Sequence, residues 1–304
     1  MDTNLTKRPK LIAILGPTAS GKTSLSLKLA KKFNGFIISA DSRQIYKYMD
    51  IGTAKIKKEE MQTIPHFMID IVEPDQIYTV AQYQKEVYKI LDSKISKEKI
   101  SFLVGGTGLY ISAVINGLKI PQVKPDKKLR EKLNKKSVEK LVNMLKKLDK
   151  ATFEKIDLKN KRRLTRAIEV CLKTGKKFSE IKSYKKPNFD VLQIGPKIDK
   201  NTLNKNIDQR VDNMTEQGLT KEVKGLLKKG YNFSLPSLSG LGYKQIGMYL
   251  RNEITLEEAI KLIKLRTRQY AKRQMTWFKR DKRIRWIKNY KEAEKLVANF
   301  LSNN

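Results

Sequence analysis

The sequence predicts an α/β fold, a parallel sheet flanked by helices, interrupted by an all-helical insertion. Three observations carry this. Apolar runs of strand length alternate with helically spaced stretches through residues 1–116 and again after 188. Two of those runs open straight into glycine-rich turns followed by helices. Between residues 117 and 187 strand patterning disappears and lysine accumulates.

The first strand is Leu11–Leu15. It closes on Gly16-Pro17-Thr18-Ala19-Ser20-Gly21-Lys22-Thr23, and Ser24–Ala30 follows with helical spacing. Strand, glycine turn and helix form the context in which G-x-x-x-x-G-K-[ST] works as a phosphate cradle. The glycines let backbone N–H groups face an anion, and the new helix presents its positive end there. Lys22 supplies a point charge, and the Thr23 hydroxyl is the candidate Mg²⁺ ligand. The fold class is therefore narrowed to a P-loop NTPase-like sheet.

Phe36–Ala40 is the second strand, ending on Asp41-Ser42-Arg43-Gln44. Ligands in open parallel sheets sit beyond the carboxyl ends of strands, so Asp41 is expected on the cradle's rim. Ile64–Val72 reads as extended, with His66 packed or solvated rather than catalytic. Val80, Tyr83, Val87 and Ile90 predict a helix over Val80–Ser93. Ile100–Val104 is a further strand, opening into Gly105-Gly106-Thr107-Gly108-Leu109-Tyr110. No Asp ends that strand, which weakens a motor or switch ATPase. Asp41 remains open as a metal ligand or a base, and a small-molecule kinase remains a rival reading.

From Gly117 a linker with Pro121 and Pro125 leads to helical stretches over 126–148 and 151–173. Leu164, Ala167, Ile168 and Cys171 share an apolar face, with Arg162, Arg163 and Arg166 beside it. Those arginines fit either a solvated face or an RNA contact. Val191–Gly195 returns to strand. Ile207, Val211 and Met214 form the buried face of a helix carrying Arg210, and Gly218 caps it. A glycine turn spans Ser239–Lys244, and a last long helix runs from about Leu256 to Lys279. Lys261, Lys264, Arg268 and Lys272 recur as a basic stripe on that helix. Tyr270, Trp277 and Phe278 are open to base stacking or to core packing.

The 304 residues carry a formal charge of +34. Of 65 basic residues 51 are Lys, a pattern that genome bias alone could produce. The charge is uneven, however: +6 over residues 1–116, +16 over 117–187 and +12 over 188–304. That concentration favours a nucleic-acid partner for the insertion. No apolar run approaches the ~18 residues of a membrane span. Met1–Lys10 is polar and basic, without a secretion-type apolar region. One cysteine, Cys171, and one histidine leave neither a disulfide nor a Cys/His zinc cluster. A cytoplasmic location is the expectation.

Taken jointly, G-P-T-A-S-G-K-T, S-A-D-S-R-Q-I-Y, M-D-I-G-T-A-K, P-H-F-M-I-D-I-V-E-P, G-G-T-G-L-Y, K-R-R-L-T-R-A-I-E, R-V-D-N-M, G-L-G-Y-K-Q and K-R-Q-M-T-W-F-K resemble the tRNA dimethylallyltransferase family in order and spacing over nearly the whole chain. The resemblance implies a cradle, Gly16 to Thr23, that holds dimethylallyl diphosphate rather than ATP. It implies prenyl transfer to the exocyclic amine of the adenosine 3′ to the anticodon. Asp41 would be the base, with Thr107 and Arg210 completing the catalytic set and Mg²⁺ held through Thr23. It also assigns tRNA contacts to Asp41, Ser42, Arg43, Gln44, Thr107, Arg130, Arg162, Arg163, Leu164, Thr165 and Arg166. Further contacts fall to Ser239, Gly240, Leu241, Gly242, Tyr243 and Lys244, and to Lys272, Arg273, Gln274, Met275, Thr276, Trp277, Phe278 and Lys279. Arg43-Gln44 departs from relatives that carry apolar residues there, which leaves its base-reading role open. A bacterial-type enzyme without a zinc-finger extension, acting as a monomer on the tRNA anticodon stem-loop, is the expectation.

Overall fold

The computed structural model describes residues 8–121, 123–181 and 184–303. Residues 1–7 of the polar N-terminal stretch lie outside them. Six strands, β1 (Lys10–Leu15), β2 (Gly35–Ser39), β3 (His66–Phe67), β4 (Ile100–Gly105), β5 (Asp190–Pro196) and β6 (Arg285–Ile287), form one sheet in the order β3-β2-β4-β1-β5-β6. Every pairing is parallel. Parallel strands need crossover connections, which cover both faces and bury the central strand completely. Leu11 to Leu15 are accordingly buried, with Ile12 opposite Phe102 and Ile14 opposite Ile194.

Because all strands point one way, Gly16, Asp41 and Gly105-Gly106-Thr107 emerge at one rim. One apolar cluster joins the sheet to Leu29, Ala293 and Val297. A second packs Ile45, Tyr46 and Met49 against Val211, Val223, Tyr243, Ile246 and Ile263. The long helix Leu256–Phe278 starts at a reciprocal cap: Glu258 N–H donates to Thr255 Oγ1 at 3.2 Å and Thr255 N–H to Glu258 Oε2 at 2.7 Å. Its buried stripe is Ala259, Ile263, Thr267, Ala271, Gln274 and Phe278, steps of three and four residues that place them on one face.

Two edge strands differ from the sequence reading. Ile64–Val72 gives the sheet only the pair His66–Phe67, because Met68 and Asp70 take positive φ and turn the chain away, and Val72 makes an isolated parallel bridge with Tyr46. β6, three residues long, gives no periodic signal of its own.

The chain forms two compact units, one up to Ile111 and from Asn188 onward, the other Ser112–Pro187. The division falls inside the helix Gly108–Ile115, earlier than the composition change at Gly117. The second unit contains the helices Lys127–Asn134, Val138–Leu148, Lys150–Phe153, Lys161–Thr174 and Phe178–Ile181. The two long helices expected there are broken by side chains that cap new starts. Ser137 accepts from Lys140 N–H, Asp149 from Thr152 N–H and Asn160 from Arg163 N–H. Its core is Leu133, Leu141, Leu145, Leu164, Ala167 and Ile168.

Candidate active site

The cradle begins where β1 ends. Gly16 has φ 147°, Ala19 61° and Gly21 84°, so the turn coils through left-handed backbone before the helix Lys22–Lys32. Ser20 Oγ donates to Pro17 O at 2.9 Å and Lys22 Nζ donates to the same carbonyl at 2.5 Å, holding the loop closed on itself. Asn206 Nδ2 supports it from outside through Ala19 O at 3.2 Å. Burial, then the positive charge of Arg210, lowers the Lys22 pKa to about 7, while Asp41 acts in the opposite sense. An ammonium pressed toward neutrality is one that an incoming anion would recharge.

Not every N–H from Thr18 to Thr23 is free for a ligand. Thr18 N–H donates to Gln274 Oε1 at 2.9 Å, and Gln274 Nε2 donates to Gly106 O at 2.9 Å. Gln274 is buried and fastens the cradle to the second glycine turn. The side chain expected to contact tRNA is therefore engaged within the protein. Sequence offered no sign of this bridge, which joins residues 256 and 168 positions apart.

Asp41 follows Ala40 at the end of β2. Its Oδ1 accepts from Arg43 N–H at 2.8 Å, an Asx turn that fixes the carboxylate while leaving further lone pairs available. Thr107 Oγ1 accepts from Ser42 N–H at 3.1 Å, and Thr107 N–H donates to Ala40 O at 3.1 Å. The second glycine turn thus clamps the strand end bearing Asp41. Arg210 Nη1 donates to Thr18 Oγ1 at 3.1 Å. Burial lowers the guanidinium pKa and Asp41 opposes the shift, but an arginine stays charged.

Two cavities of about 520 and 640 Å³ share Thr18, Asp41, Thr53, Arg210 and Tyr270 as lining. The larger contains the cradle from Thr18 to Lys28 and reaches His66, whose Nδ1 lies 2.8 Å from Ile64 O. The smaller is walled by Ser42, Arg43, Gly52, Ser239 to Gln245, Arg266 and Arg273. Asp41 and Arg210 therefore face both the half that holds the cradle and the half that does not. Tyr270, open in the sequence to stacking or packing, lines both cavities. Burial, then the charge of Asp41, pushes its phenol up to about 12, so it stays protonated beside the carboxylate.

Several residues expected to contact RNA are engaged within the protein. Tyr243 is 1 % exposed and donates to Glu222 Oε1 at 2.6 Å. Phe278 and Leu164 are core residues, and Thr165 is buried beside Asn134. Arg43 Nη1 holds Pro236 O and Ser237 O at 2.7 and 3.1 Å, while Gln44 connects Ser39 to Thr53 and Ala54. Within the insertion, Arg130 makes two bonds of 2.8 and 2.7 Å to Glu169 and Arg166 one of 2.7 Å. Glu169 is fully buried. Burial resists its ionisation, but Arg130, the Asp126 N–H and Arg166 outweigh that and hold its carboxyl below the usual range. These two arginines are structural cations, whereas Arg162 and Arg163 are exposed. The stripe on Leu256–Phe278 is mostly neutralised within the protein: Lys264 meets Asp212, Arg268 meets Asp208 and Lys261 meets Glu257. Lys272, Arg273, Thr276 and Lys279 remain exposed. Trp277 is 37 % exposed and also packs, since a Cβ added to Gly108 would lie 2.4 Å from its ring.

A parallel sheet with a phosphate cradle and a carboxylate shared between two half-sites defines a P-loop-type group-transfer enzyme. Sequence comparison narrows the class. A family profile described as IPP transferase matches residues 44–281. The tRNA dimethylallyltransferase of Halothermothrix orenii is 48 % identical, over 96 % of this chain and 93 % of the relative. That of Carboxydothermus hydrogenoformans is 46 % identical over 97 % and 98 %. Among solved structures, the tRNA isopentenylpyrophosphate transferase of Bacillus halodurans superposes with a TM-score of 0.72 at 37 % identity, covering 97 % of this chain and 96 % of that one. A eukaryotic dimethylallyltransferase acting on tRNA gives 0.75 at 32 % identity, over 88 % and 69 %. The chain belongs to the IPP transferase family.

Proposed function

We propose that the chain transfers a dimethylallyl group from dimethylallyl diphosphate to the exocyclic N6 of the adenosine 3′-adjacent to the anticodon in tRNA. The amine attacks C1 of the allyl group. The C1–O bond breaks, its electron pair leaves with diphosphate, and Asp41 takes the proton lost from N6. One observation carries this reading: Asp41 and Arg210 line both the cavity that holds the cradle and the cavity that does not. A kinase needs its carboxylate beside a hydroxyl acceptor of small size. Here the second half-site is walled by arginines and glycine-turn backbone suited to a nucleotide.

The division of labour follows from charge. Lys22 and the cradle N–H groups stabilise negative charge as it develops on the leaving diphosphate. Arg210 reaches Thr18 at the lip of the cradle and is a bidentate clamp for the same group. The N6 amine becomes acidic only as its new bond forms, so an ordinary carboxylate suffices as base. The adenosine must leave its stack to reach the cavity, at a cost of a few kcal/mol that basic contacts to the stem-loop offset. Arg162, Arg163, Lys272, Arg273 and Lys279 are exposed and suit such contacts.

Mg²⁺ fits this site as a partner of the donor. Among the described residues no group of three or more His, Cys, Asp or Glu could hold a metal. Magnesium, however, commonly takes few protein ligands and the substrate's phosphates. Thr23, exposed at the start of its helix and lining the cradle cavity, would supply one hydroxyl. When bound, the ion would neutralise charge on the leaving group. Among the described residues no helix is long and apolar enough to cross a membrane.

The test is incubation with labelled dimethylallyl diphosphate and unmodified tRNA, with adenosine or guanosine at the target position. Label should enter only the adenosine RNA. ATP-dependent phosphorylation of a small hydroxyl compound, with no label in RNA, would overturn the reading.

A further inference from the structure

Glu222 lies outside every motif that carried the functional argument. It sits on the helix Leu219–Lys228, one residue before buried Val223. Its Oε2 accepts from Asp50 N–H at 2.9 Å and Ile51 N–H at 2.7 Å. Its Oε1 accepts from Gly52 N–H at 3.0 Å and from the Tyr243 phenol at 2.6 Å. Successive backbone N–H groups aimed at one anion form a nest, the same device that makes a phosphate cradle. Here the nest is filled by the protein's own carboxylate.

The four bonds connect two loops that are far apart in sequence. Gly52 and Thr53 belong to one, Gly242 and Tyr243 to the other, and all four line the cavity that lacks the cradle. Charge-assisted bonds of this kind are short and roughly twice as strong as neutral ones. Burial, then the charge of Glu222, holds the Tyr243 phenol well above its usual range, so it remains a donor. The approach is close: a Cβ on Gly52 would lie 2.5 Å from the Tyr243 ring. No ligand can use these N–H groups while Glu222 occupies them.

We propose that Glu222 is a positioning residue for the acceptor half of the site. It sets the separation of Gly52–Thr53 from Gly242–Tyr243, and hence the width of the opening that receives the adenosine, without touching either substrate. The inference rests on the functional reading above. Thr53 also lines the cavity that holds the cradle, but Gly52, Gly242 and Tyr243 do not and the cradle itself is built from other elements, so the effect falls on the RNA before the donor.

The experiment compares wild type, Glu222→Gln and Tyr243→Phe as full chains, each with a thermal melt. It reads the KM for an anticodon stem-loop RNA, direct RNA affinity without donor, kcat at saturation and donor affinity by competition. Glu222→Gln replaces one acceptor oxygen with an NH₂ facing donors. Its RNA KM should rise about tenfold, with kcat within about twofold and donor affinity unchanged. Tyr243→Phe removes one of the four bonds and should raise the RNA KM about two- to threefold, with no added effect in the Glu222→Gln background. Unchanged RNA KM in the folded variants would overturn the inference, as would RNA and donor affinities that fall together in step with the melting temperature. If Glu222→Gln does not fold, Tyr243→Phe decides by the same criterion. A wild-type chain that binds the RNA without prenylating it refutes the functional reading, while the affinities still decide the role of Glu222. A wild type that does not bind the RNA overturns both.

Discussion

The two glycine-rich turns look alike in sequence and do different physical work. In Gly16–Thr23 the glycines are conformational: Gly16 and Gly21 hold positive φ, and nothing lies within 4 Å of a Cβ built on Gly21. In Gly105–Tyr110 they are steric. A Cβ on Gly105 would lie 2.2 Å from Ala40 O, and one on Gly106 would lie 2.3 Å from Gln274 Nε2. The first turn leaves space beside Gly21. The second is closed, and its role is to press the Asp41 strand end and the cradle together through Thr107 and Gln274. A glycine motif at a strand end thus signals either room for a ligand or the absence of room for a side chain.

Substitutions separate the two. Gly105→Ala should have the largest effect, destabilising the protein by more than about 3 kcal/mol, because backbone cannot yield as a side chain does. Gly21→Ala should lose only roughly 1–2 kcal/mol from its left-handed backbone. Paired denaturation curves check this, and equal losses would erase the distinction. Gln274→Ala unhooks one turn from the other. It should lower kcat/KM by about ten- to hundredfold through misplacement of the cradle, in the presence of a stability loss of about 1–3 kcal/mol. Steady-state kinetics on the folded variant would show otherwise if turnover were unaffected.

A pH experiment sharpens the view of the open turn. Burial, then Arg210, lowers Lys22 to about 7, and a diphosphate bound beside it would restore its charge. Above that value donor binding must take up a proton. Affinity should weaken by up to roughly tenfold per pH unit between about 7.5 and 9. Calorimetry in buffers of different ionisation enthalpy should detect close to one proton at pH 8, and Lys22→Met should abolish it. The smallest effect belongs to the insertion. Reversing Arg162 and Arg163 should weaken RNA binding and reduce its salt slope by about one to two. Arg166→Glu should instead destabilise the unit, because it sets a second carboxylate against buried Glu169 and leaves Arg130 to balance both.

How much was legible in the sequence follows the range of the interactions. β1, β2 and β4 are mainly apolar runs, since a parallel sheet buries both their faces, and β5 is a shorter one broken by Gln193. β3 and β6 are edges of two and three residues and leave no pattern. The cradle and Asp41 are local motifs at strand ends, so spacing revealed them. Gln274, Tyr270 and Glu222 work through contacts between segments remote in sequence, which periodicity cannot report. The same limit applies to charge: sequence does not show that Arg130 and Arg166 share Glu169 as an internal partner.

The measurement that tests the account most directly is single-turnover prenyl transfer by Asp41→Asn, with donor and tRNA affinities determined on the same preparation. Transfer should slow by about 10²–10⁴-fold, with both substrates still bound within a few-fold of wild type. Transfer at the wild-type rate would contradict the assignment of the proton to this carboxylate.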